Sequence, residues 1–399
     1  SQIVPGGTAR YVSMGGAFGA LGGDFSSLSI NPAGLGVYRS SEFTFSPALN
    51  FNQADTRYFG TTEEDNKYSF SANNLGVVLS YPASRTSEEG GWQFVNIGIG
   101  FNRHSDFNNR WIAEGFNPSS SLMTNFLERA TREGSPENFS DFSTGLAWDT
   151  WLIGGSPEEG YFVDMADGQV LQRQETVTSG AIRELMVSMG ANYNDRIYVG
   201  ATMGFPSVRY TETNKFSEED VHERSDVFNS LEYETKVKTT GTGFNLKIGT
   251  IVRVTDMIRL GAAFHSPTFY ELKDTYEATM RSDLNLEYDT QTSSSPEGVF
   301  DYELNTPLKA IGSLSFVFGQ LGILSMDYEY VNYTSARLRS RDYSFTQENR
   351  NIREQLEAQH VLRLGAEIRL MPLSLRAGYA ISTSPYKSGI NDGARSALS

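Results

Sequence analysis

Apolar side chains recur at every second position along many stretches of this chain, and this alternation limits its possible folds more than any other feature. In "EFTFSPALNF", Phe43, Phe45 and Phe51 fall on one face, and Leu75 and Val77 do the same in "NLGVVLSYP". A two-residue period is that of a β-strand, whose successive side chains point to opposite sides of a sheet. The pattern recurs about eleven times up to Ser382 without changing to a strand–helix–strand order. We therefore predict an all-β chain.

Short connections join several of these stretches into antiparallel pairs. Tight-turn sequences lie at Asn194-Asp195, Thr255-Asp256 and Gly319-Gln320, and a further short link lies at Met371-Pro372. The alternate connections are long, polar and acidic. Short turns at one end and long loops at the other are typical of transmembrane barrels of the bacterial outer membrane.

The face opposite the alternating apolar residues carries glycine and small polar side chains rather than the Lys, Glu and Thr of a solvated sheet. Its members are Gly98, Gly100, Ser188, Gly190, Gly200, Gly204, Gly249 and Gly261. Small inward residues suit a barrel interior, so the predicted fold is an antiparallel transmembrane β-barrel. Tyr328, Tyr330 and Tyr333 are then candidates for the aromatic girdle, but ordinary strand propensity would also place tyrosines there.

Charge and composition exclude several classes of protein. The 399 residues carry a net charge of −15 with a pI near 4.8, which argues against binding nucleic acid. There is no cysteine, so disulfides and thiolate metal sites do not arise. A mean hydropathy of −0.38 without a long apolar run excludes membrane-spanning helices. Residues 1–5, "SQIVP", lack the features of a signal peptide, which indicates a cytoplasmic or an already processed chain.

No residue pattern points to catalysis, a metal or a cofactor. His104 and His265 each precede a serine, but neighbours in a strand face opposite sides, so neither histidine can serve that serine as a base. No G-x-S-x-G, H-E-x-x-H or calcium-loop spacing occurs. The acidic runs at 63–65 and 218–220 are typical of solvated loops. We expect a protein that is not an enzyme and holds no metal or cofactor.

Two helix-like patterns share one long insertion at about 105–180. The first, "SSSLMTNFLERATRE", places Phe126 among apolar residues at helical spacing behind a serine cap. The second, "TGLAWDTWLIGG", contains Trp148, Trp151 and Leu152. These four side chains could form an apolar capture surface, or they could pack the insertion onto the rim of the barrel. The sequence leaves both interpretations open.

Residues 13–38, "SMGGAFGALGGDFSSLSINPAGLGVY", show neither a helical nor a strand period. With the residues before it, this stretch resembles the amino-terminal hatch of the FadL-type outer-membrane transporters of hydrophobic compounds, including the motif Asn31, Pro32 and Ala33. "HSPTFYEL", "NTPLKAIGSLSFVF", "LSMDYEYVNYTSARL" and "LRLGAEIRLMPLSLRAGYAISTSPY" are similar to later strands of that family, in the same order. The resemblance spans nearly the whole chain.

The resemblance implies a domain organisation. Residues 1–38 would form a hatch that plugs the lumen, and residues 39–399 a β-barrel with the extracellular insertion at about 105–180. The family has about fourteen strands, whereas "GARSALS" would only begin a twelfth here, so we expect about three more strands beyond the sequence. Ile3 and Val4 are candidate lumen contacts for a ligand, because the family's amino terminus usually inserts there.

A change of parity along the second strand predicts a kink in the barrel wall. The alternating set passes from Tyr68 and Phe70 to Leu75 and Val77, so the side chains change faces around Asn73-Asn74. An inserted residue in a β-bulge has this effect. The third strand near Asn102 is a second candidate. In the FadL-type family a kinked strand is thought to open the wall sideways to the ligand.

The function that the resemblance implies is uptake of hydrophobic small molecules, such as long-chain fatty acids, across the outer membrane of a Gram-negative bacterium. Outer loops would capture the molecule, which would then pass through a barrel gated by the hatch. The expected partners are the hydrophobic ligand and the outer-membrane lipids, but no nucleic acid. The alternative is a barrel of the same fold that binds other proteins as an accessory subunit of a secretion or assembly complex.

Overall fold

The structure, a computed structural model, describes residues 6–83, 91–285, 290–390 and 396–398. The strands are β1 (Glu42–Tyr58), β2 (Thr61–Pro82), β3 (Trp92–Asp106), β4 (Asn109–Asn117), β5 (Gly154–Ser156), β6 (Gly160–Phe162), β7 (Val170–Tyr193), β8 (Ile197–Glu219), β9 (Phe228–Arg253), β10 (Ile258–His265), β11 (Phe269–Leu284), β12 (Gln291–Ser294), β13 (Gly298–Asn305), β14 (Lys309–Val317), β15 (Gly322–Asn332), β16 (Arg337–Arg339), β17 (Ala358–Leu370), β18 (Leu373–Thr383) and β19 (Ser396–Leu398). The α-helices are α1 (Ala9–Ser13), α2 (Leu122–Glu133), α3 (Thr144–Asp149) and α4 (Thr346–Gln355). Short 3-10 helices cover Phe25–Ser29, Pro32–Val37, Pro136–Asn138 and Tyr333–Ser335.

Seventeen strands form one antiparallel sheet, and β5 and β6 form a separate hairpin. Several consecutive strands are parts of one interrupted pass, since β3 and β4 both pair with β7, and β10 and β11 both pair with β9. Likewise β12, β13 and β14 run along β11 and β10, and β15 and β16 run along β14 and β13. The sheet thus makes eleven passes from β1 to β18, and β19 begins another. The all-β prediction is confirmed.

The short turns lie where the sequence predicted them. Asn194 and Asp195 have φ values of 52° and 55°, which these two residue types tolerate, and they join β7 to β8 in the register Tyr193↔Ile197. Thr255-Asp256 joins β9 to β10. The links at 319–320 and 371–372 join β14 to β15 and β17 to β18.

An apolar belt covers the outer face of the sheet next to these turns. On β8 it runs from Ile197 to Phe205, and the next outward positions are the polar Ser207 and Arg209. A tilted strand needs roughly 9–11 residues to cross the hydrocarbon of a bilayer. The strands β7, β8 and β9 contain 24, 23 and 26 residues, so they continue well past the belt. Within the described residues, no helix has the length and apolar character to span a membrane.

The sheet curves around residues 6–38, and within the described residues its first and last strands do not pair with each other. Among the described residues, β1 pairs only with β2, and β19 pairs only with β18. The side chains of β18 are exposed on both faces from Leu373 to Tyr379. The concave face between these two edges is occupied by residues 6–38.

The helical insertion is shorter than predicted. The boundary at about 105–180 is wrong, because β3 continues to Asp106, β4 forms an antiparallel ladder with β7, and β7 already begins at Val170. In these outer strand segments the apolar residues, such as Trp111, Ile112 and Phe116 of β4, do not fall at every second position, so the two-residue period is not visible. The insertion with α2, α3, β5 and β6 therefore covers residues 118–169. Its predicted serine cap is confirmed, since Ser121 Oγ accepts a hydrogen bond from Met123 N.

Candidate functional site

Residues 6–38, called the hatch from here on, lie against glycines on the inner face of the sheet. A Cβ atom at Gly200 would lie 2.3 Å from Pro32 O, and one at Gly249 would lie 1.9 Å from Asn31 Oδ1. At several other wall glycines an added Cβ atom would also lie against a hatch residue. They are Gly76, Gly98, Gly100, Gly190, Gly261, Gly365 and Gly378. The small inward residues found in the sequence therefore let the hatch backbone approach the wall closely.

The Asn31-Pro32-Ala33 motif begins the second 3-10 helix of the hatch and also contacts the wall. Asn31 Oδ1 accepts a hydrogen bond from Ala33 N at 3.1 Å, which caps the helix. Asn31 Nδ2 donates to Gly19 O at 2.6 Å and to Thr250 O of β9 at 3.1 Å. One buried amide thus joins two turns of the hatch to the barrel wall.

Polar wall residues hold the hatch at further points around the sheet. Asn96 Nδ2 donates to Leu35 O at 2.7 Å, and His265 Nε2 donates to Ile30 O at 2.8 Å. Asp327 Oδ2 accepts from Gly19 N at 2.9 Å, and Arg10 pairs with Glu367 at 2.9 Å. The hatch is therefore fastened mostly through its own backbone groups.

Sequence reasoning missed these wall residues, although a signal for them exists. Asn96 lies between Val95 and Ile97, and Asp327 between Met326 and Tyr328. A buried polar side chain between two apolar neighbours faces inward in such a strand and needs a partner there.

The backbone pairing between β2 and β3 stops halfway along the wall. Its last pair is Asn74↔Asn102, whose side-chain amides are hydrogen-bonded to each other. The β1–β2 register shifts between Ser46 and Pro47, which leaves Asn73 as the extra residue of a bulge. The β3–β7 register shifts between Arg103 and Ser105. The irregularities therefore lie at the two positions where the sequence placed a kink.

Beyond this point, side chains of β1 and β2 form hydrogen bonds to β7, to the end of β3 and to the turn that follows β3. Lys67 Nζ donates to Thr178 O at 2.9 Å, and Asn52 Nδ2 donates to Asn108 O at 2.5 Å. Asn50 Nδ2 donates to Asp106 Oδ2 at 3.0 Å. In this part of the wall, flexible polar side chains replace a row of backbone hydrogen bonds.

A cavity of about 1060 Å³ lies where the interrupted wall meets the start of the hatch. Gly6, Gly7, Ala9 and Val12 line it on the hatch side. The wall side consists of residues 45–53 of β1, Asn73, Arg103, residues 105–109, Thr178 and Tyr210. Arg103 pairs with Asp106 at 3.1 Å, so the buried arginine at the cavity is neutralised by a half-buried carboxylate. The predicted lumen contacts Ile3 and Val4 lie outside the described residues.

The four predicted capture residues differ in their surroundings. Phe126 and Leu152 are 1% and 4% exposed in an apolar cluster with Phe228, so they pack the insertion onto the strand ends. Trp148 is partly buried against the same cluster. Trp151 is 47% exposed. Packing onto the rim thus describes Phe126, Leu152 and part of Trp148. Trp148, Trp151 and Leu152 also line a second cavity, of about 490 Å³.

The insertion is also anchored by a buried carboxylate from the barrel. Glu218, near the end of β8, accepts hydrogen bonds from Ser121 Oγ at 2.5 Å, Leu122 N at 2.7 Å and Gln172 Nε2 at 2.6 Å. Burial raises the pKa of this carboxyl group above its ordinary value, while the three donors lower it in part. The expectation that this acidic run is a solvated loop is therefore wrong for Glu218. Within the described residues, no three acidic or histidine side chains are grouped as metal ligands.

Comparison with known proteins gives the fold. No family model and no curated protein matches the sequence. The structure is similar to the toluene transporter TodX of Pseudomonas putida, with a TM-score of 0.50 and 12% identity over 95% of this chain and 84% of TodX. It is similar to a FadL homologue of Pseudomonas aeruginosa, with a TM-score of 0.51 and 13% identity over 98% and 83%. A TodX monoaromatic hydrocarbon channel with the deltaS2S3 mutation matches with a TM-score of 0.51 and 13% identity over 99% and 88%. The chain thus has the fold of the FadL-type barrels.

Proposed function

We propose that this chain, which has the fold of FadL-type barrels, is an outer-membrane channel for the uptake of small hydrophobic molecules. The observation that carries the proposal is the cavity where the amino-terminal end of the hatch meets the interrupted β2–β4 wall. Two strands joined by a continuous row of backbone hydrogen bonds cannot separate in lipid without leaving N–H and C=O groups unsatisfied. At this place that row is already absent, so movement of side chains alone could widen the wall.

The contacts of the hatch support a second step of the path. The hatch is held by hydrogen bonds to its backbone, by close packing on glycines and by small apolar clusters that it shares with the wall. Since many such contacts can be exchanged for water, a shift of its first residues would enlarge the cavity without unfolding the sheet. The proposed path leads from the insertion to the cavity and through the wall into the outer leaflet.

The cargo class that we propose is hydrophobic molecules of small size. Toluene and monoaromatic hydrocarbons are the cargo in the names of the similar structures. Long-chain fatty acids are the cargo that the sequence resemblance suggested. Both have an apolar body that would lie in a cavity of about 1060 Å³, a size typical of sites for small ligands.

The test is uptake of radiolabelled naphthalene by a Gram-negative host that lacks its own channel of this kind. We expect faster uptake with the wild-type chain than with an empty vector. Ala9→Trp fills the cavity from the exposed side of α1 and should lower the rate towards that of the vector. Leu321→Trp, at an exposed turn between β14 and β15, is the matched control and should leave the rate unchanged.

Two results would contradict the proposal. If wild-type cells take up naphthalene at the rate of vector cells, while the barrel is present in the outer membrane, the chain is not such a channel. If Ala9→Trp and Leu321→Trp behave alike, the path does not pass through this cavity. In the first case the accessory-subunit interpretation is tested next, by asking whether the barrel copurifies with a protein in fixed proportion.

A further inference from the structure

The cavity in the insertion has aromatic walls. It is formed by the first turn of α2, the segment from α3 to β5, the end of β6, the start of β9 and the end of β11. Trp148, Trp151, Phe162 and Phe228 contribute aromatic rings to it. Phe162 is 62% exposed and stands beside Gly154, where a Cβ atom would lie 2.5 Å from its ring. A cavity of about 490 Å³ has room for a molecule with a benzene ring and a short chain.

The charged residues that line this cavity are acidic. Asp149 and Asp164 are both in the lining, which contains no Lys, Arg or His among the described residues. Asp149 Oδ2 accepts a hydrogen bond from Ser293 Oγ at 3.0 Å. Within the described part of the chain, neither carboxylate has a cation within 4.0 Å, in contrast to Asp167, which pairs with Arg224 at 3.1 Å.

The charge of the whole insertion has the same sign. Between residues 118 and 169 the sequence holds nine Asp or Glu residues and two arginines, Arg129 and Arg132. Arg129 donates to Ser143 Oγ at 2.9 Å, and neither arginine lines the cavity. A molecule that enters here therefore meets a negative potential that no basic residue of the lining offsets.

We propose that this cavity binds hydrophobic molecules that carry an ammonium group and rejects those that carry a carboxylate. The aromatic rings would cover the apolar body and attract the cation through their π-faces, and the two aspartates would pair with it. A carboxylate would lose water without gaining a partner and would be repelled. This inference rests on the proposed function, because it assigns selectivity to the entrance of the same path, and it argues against fatty acids as preferred cargo.

A matched series of ligands tests the charge preference directly. The ligands are 4-phenylbutylamine, 4-phenylbutanol and 4-phenylbutanoate, whose apolar parts are the same. Binding to the full chain in lipid nanodiscs is followed by quenching of tryptophan fluorescence at low salt. We expect the amine to bind about tenfold more tightly than the alcohol, and the carboxylate at least about tenfold more weakly than the alcohol. Raising the salt concentration should reduce these differences in affinity, because salt screens the charges.

Two double variants distinguish the effect of the cavity aspartates on binding from the effect of the overall negative charge of the insertion. Asp149→Asn with Asp164→Asn should bring the three affinities to within about threefold of one another, since the shape is kept and the charge removed. Glu158→Gln with Glu159→Gln changes the net charge by the same amount outside the lining and should keep the order. Trp151→Ala should weaken binding of all three ligands.

The proposal is overturned if wild-type protein binds the carboxylate as tightly as the amine, or if the cavity double variant keeps the full preference. Folding of each variant is checked by the heat-dependent mobility of the barrel on gels and by the exchange of α2 amides. Naphthalene uptake is measured on the same variants. Because naphthalene has no charge, its uptake tests the channel and the ligand series tests the selectivity, so the two can fail separately.

Discussion

The hatch and the insertion both lack long strands, yet they are attached to the barrel in different ways. The apolar residues of the hatch are divided between clusters that wall residues complete, such as Phe25 and Leu28 with Val78 and Met186. Those of the insertion form one cluster, built around Phe126 and extended by side chains of β9 and β11. Both cores are completed by wall residues, but the core of the hatch is divided into several small clusters, while that of the insertion is one continuous cluster.

This difference has a consequence for how each region can move. Close packing of backbone on glycine tolerates little change of volume, but its polar contacts can be exchanged for water. An apolar cluster loses transfer free energy as soon as it opens. We therefore expect the hatch to respond most to added side-chain volume and to lost amides, and the insertion to removal of buried rings.

The largest effect is expected from Phe126→Ala in the insertion. The side chain is 1% exposed, and removing a buried phenylalanine ring costs about 3–5 kcal/mol. Hydrogen exchange of amides in residues 118–169 should accelerate, while amides of β8 within the apolar belt stay protected. Phe162→Ala, at a ring that is 62% exposed in the same insertion, is the control and should change this exchange far less. Equal acceleration in both variants would show that the insertion has no cooperative core.

A smaller effect, on the hatch, is expected from Gly249→Ala. The added Cβ would lie 1.9 Å from Asn31 Oδ1, and overpacking of this kind costs about 1–3 kcal/mol. Amides of the Asn31-Pro32-Ala33 turn should exchange faster, and entry of nitrocefin into the periplasm should rise. Gly312→Ala is the matched control, because a Cβ there meets nothing within 4 Å. If Gly249→Ala leaves the hydrogen exchange of these amides unchanged, the turn does not pack closely against Gly249.

Local features of the fold could be predicted from sequence because they depend on neighbouring residues. The turn at Asn194 and Asp195 follows from their tolerance of positive φ, and the bulge near Asn73 from a change of parity within one strand. The strand segments at 109–117 and 170–184 were missed. Their apolar residues, such as Trp111, Ile112 and Phe116, are irregularly spaced among polar ones, so no two-residue apolar period marks these segments.

The contacts between the hatch and the barrel wall could not be predicted in the same way. Asn31 bonds to Thr250, which is 219 positions away in sequence. Strand alternation shows which residues face inward, but it does not show which part of the hatch each of them meets. The cavities of the candidate site depend on such long-range contacts, and they became visible only in the structure.

Asn31→Ala should affect the hatch about as much as the added volume at Gly249. The variant loses the helix cap and two donated hydrogen bonds, which amounts to about 2–3 kcal/mol. We expect faster exchange of the hatch amides and a modest rise in nitrocefin entry. Asn125→Ala, at an exposed position of α2, should change neither. If the hatch amides of Asn31→Ala are as protected from hydrogen exchange as those of the wild type, the packing on glycines alone holds the hatch in place.

The smallest effect is a pH dependence of the insertion that comes from Glu218. Because burial raises the pKa of this carboxyl group in the folded state, the folded insertion holds the proton to a higher pH than the open one does. Its contribution to stability is therefore fully present below the ordinary pKa of a glutamate and is lost as the pH rises through the raised value. Corrected for the intrinsic rate, exchange of α2 amides should show slightly lower protection above this range than below it. Glu218→Gln cannot ionise and should remove the slope, whereas Glu219→Gln, the next residue along the strand, should keep it. A slope that persists in Glu218→Gln would assign the pH dependence to another group of the insertion.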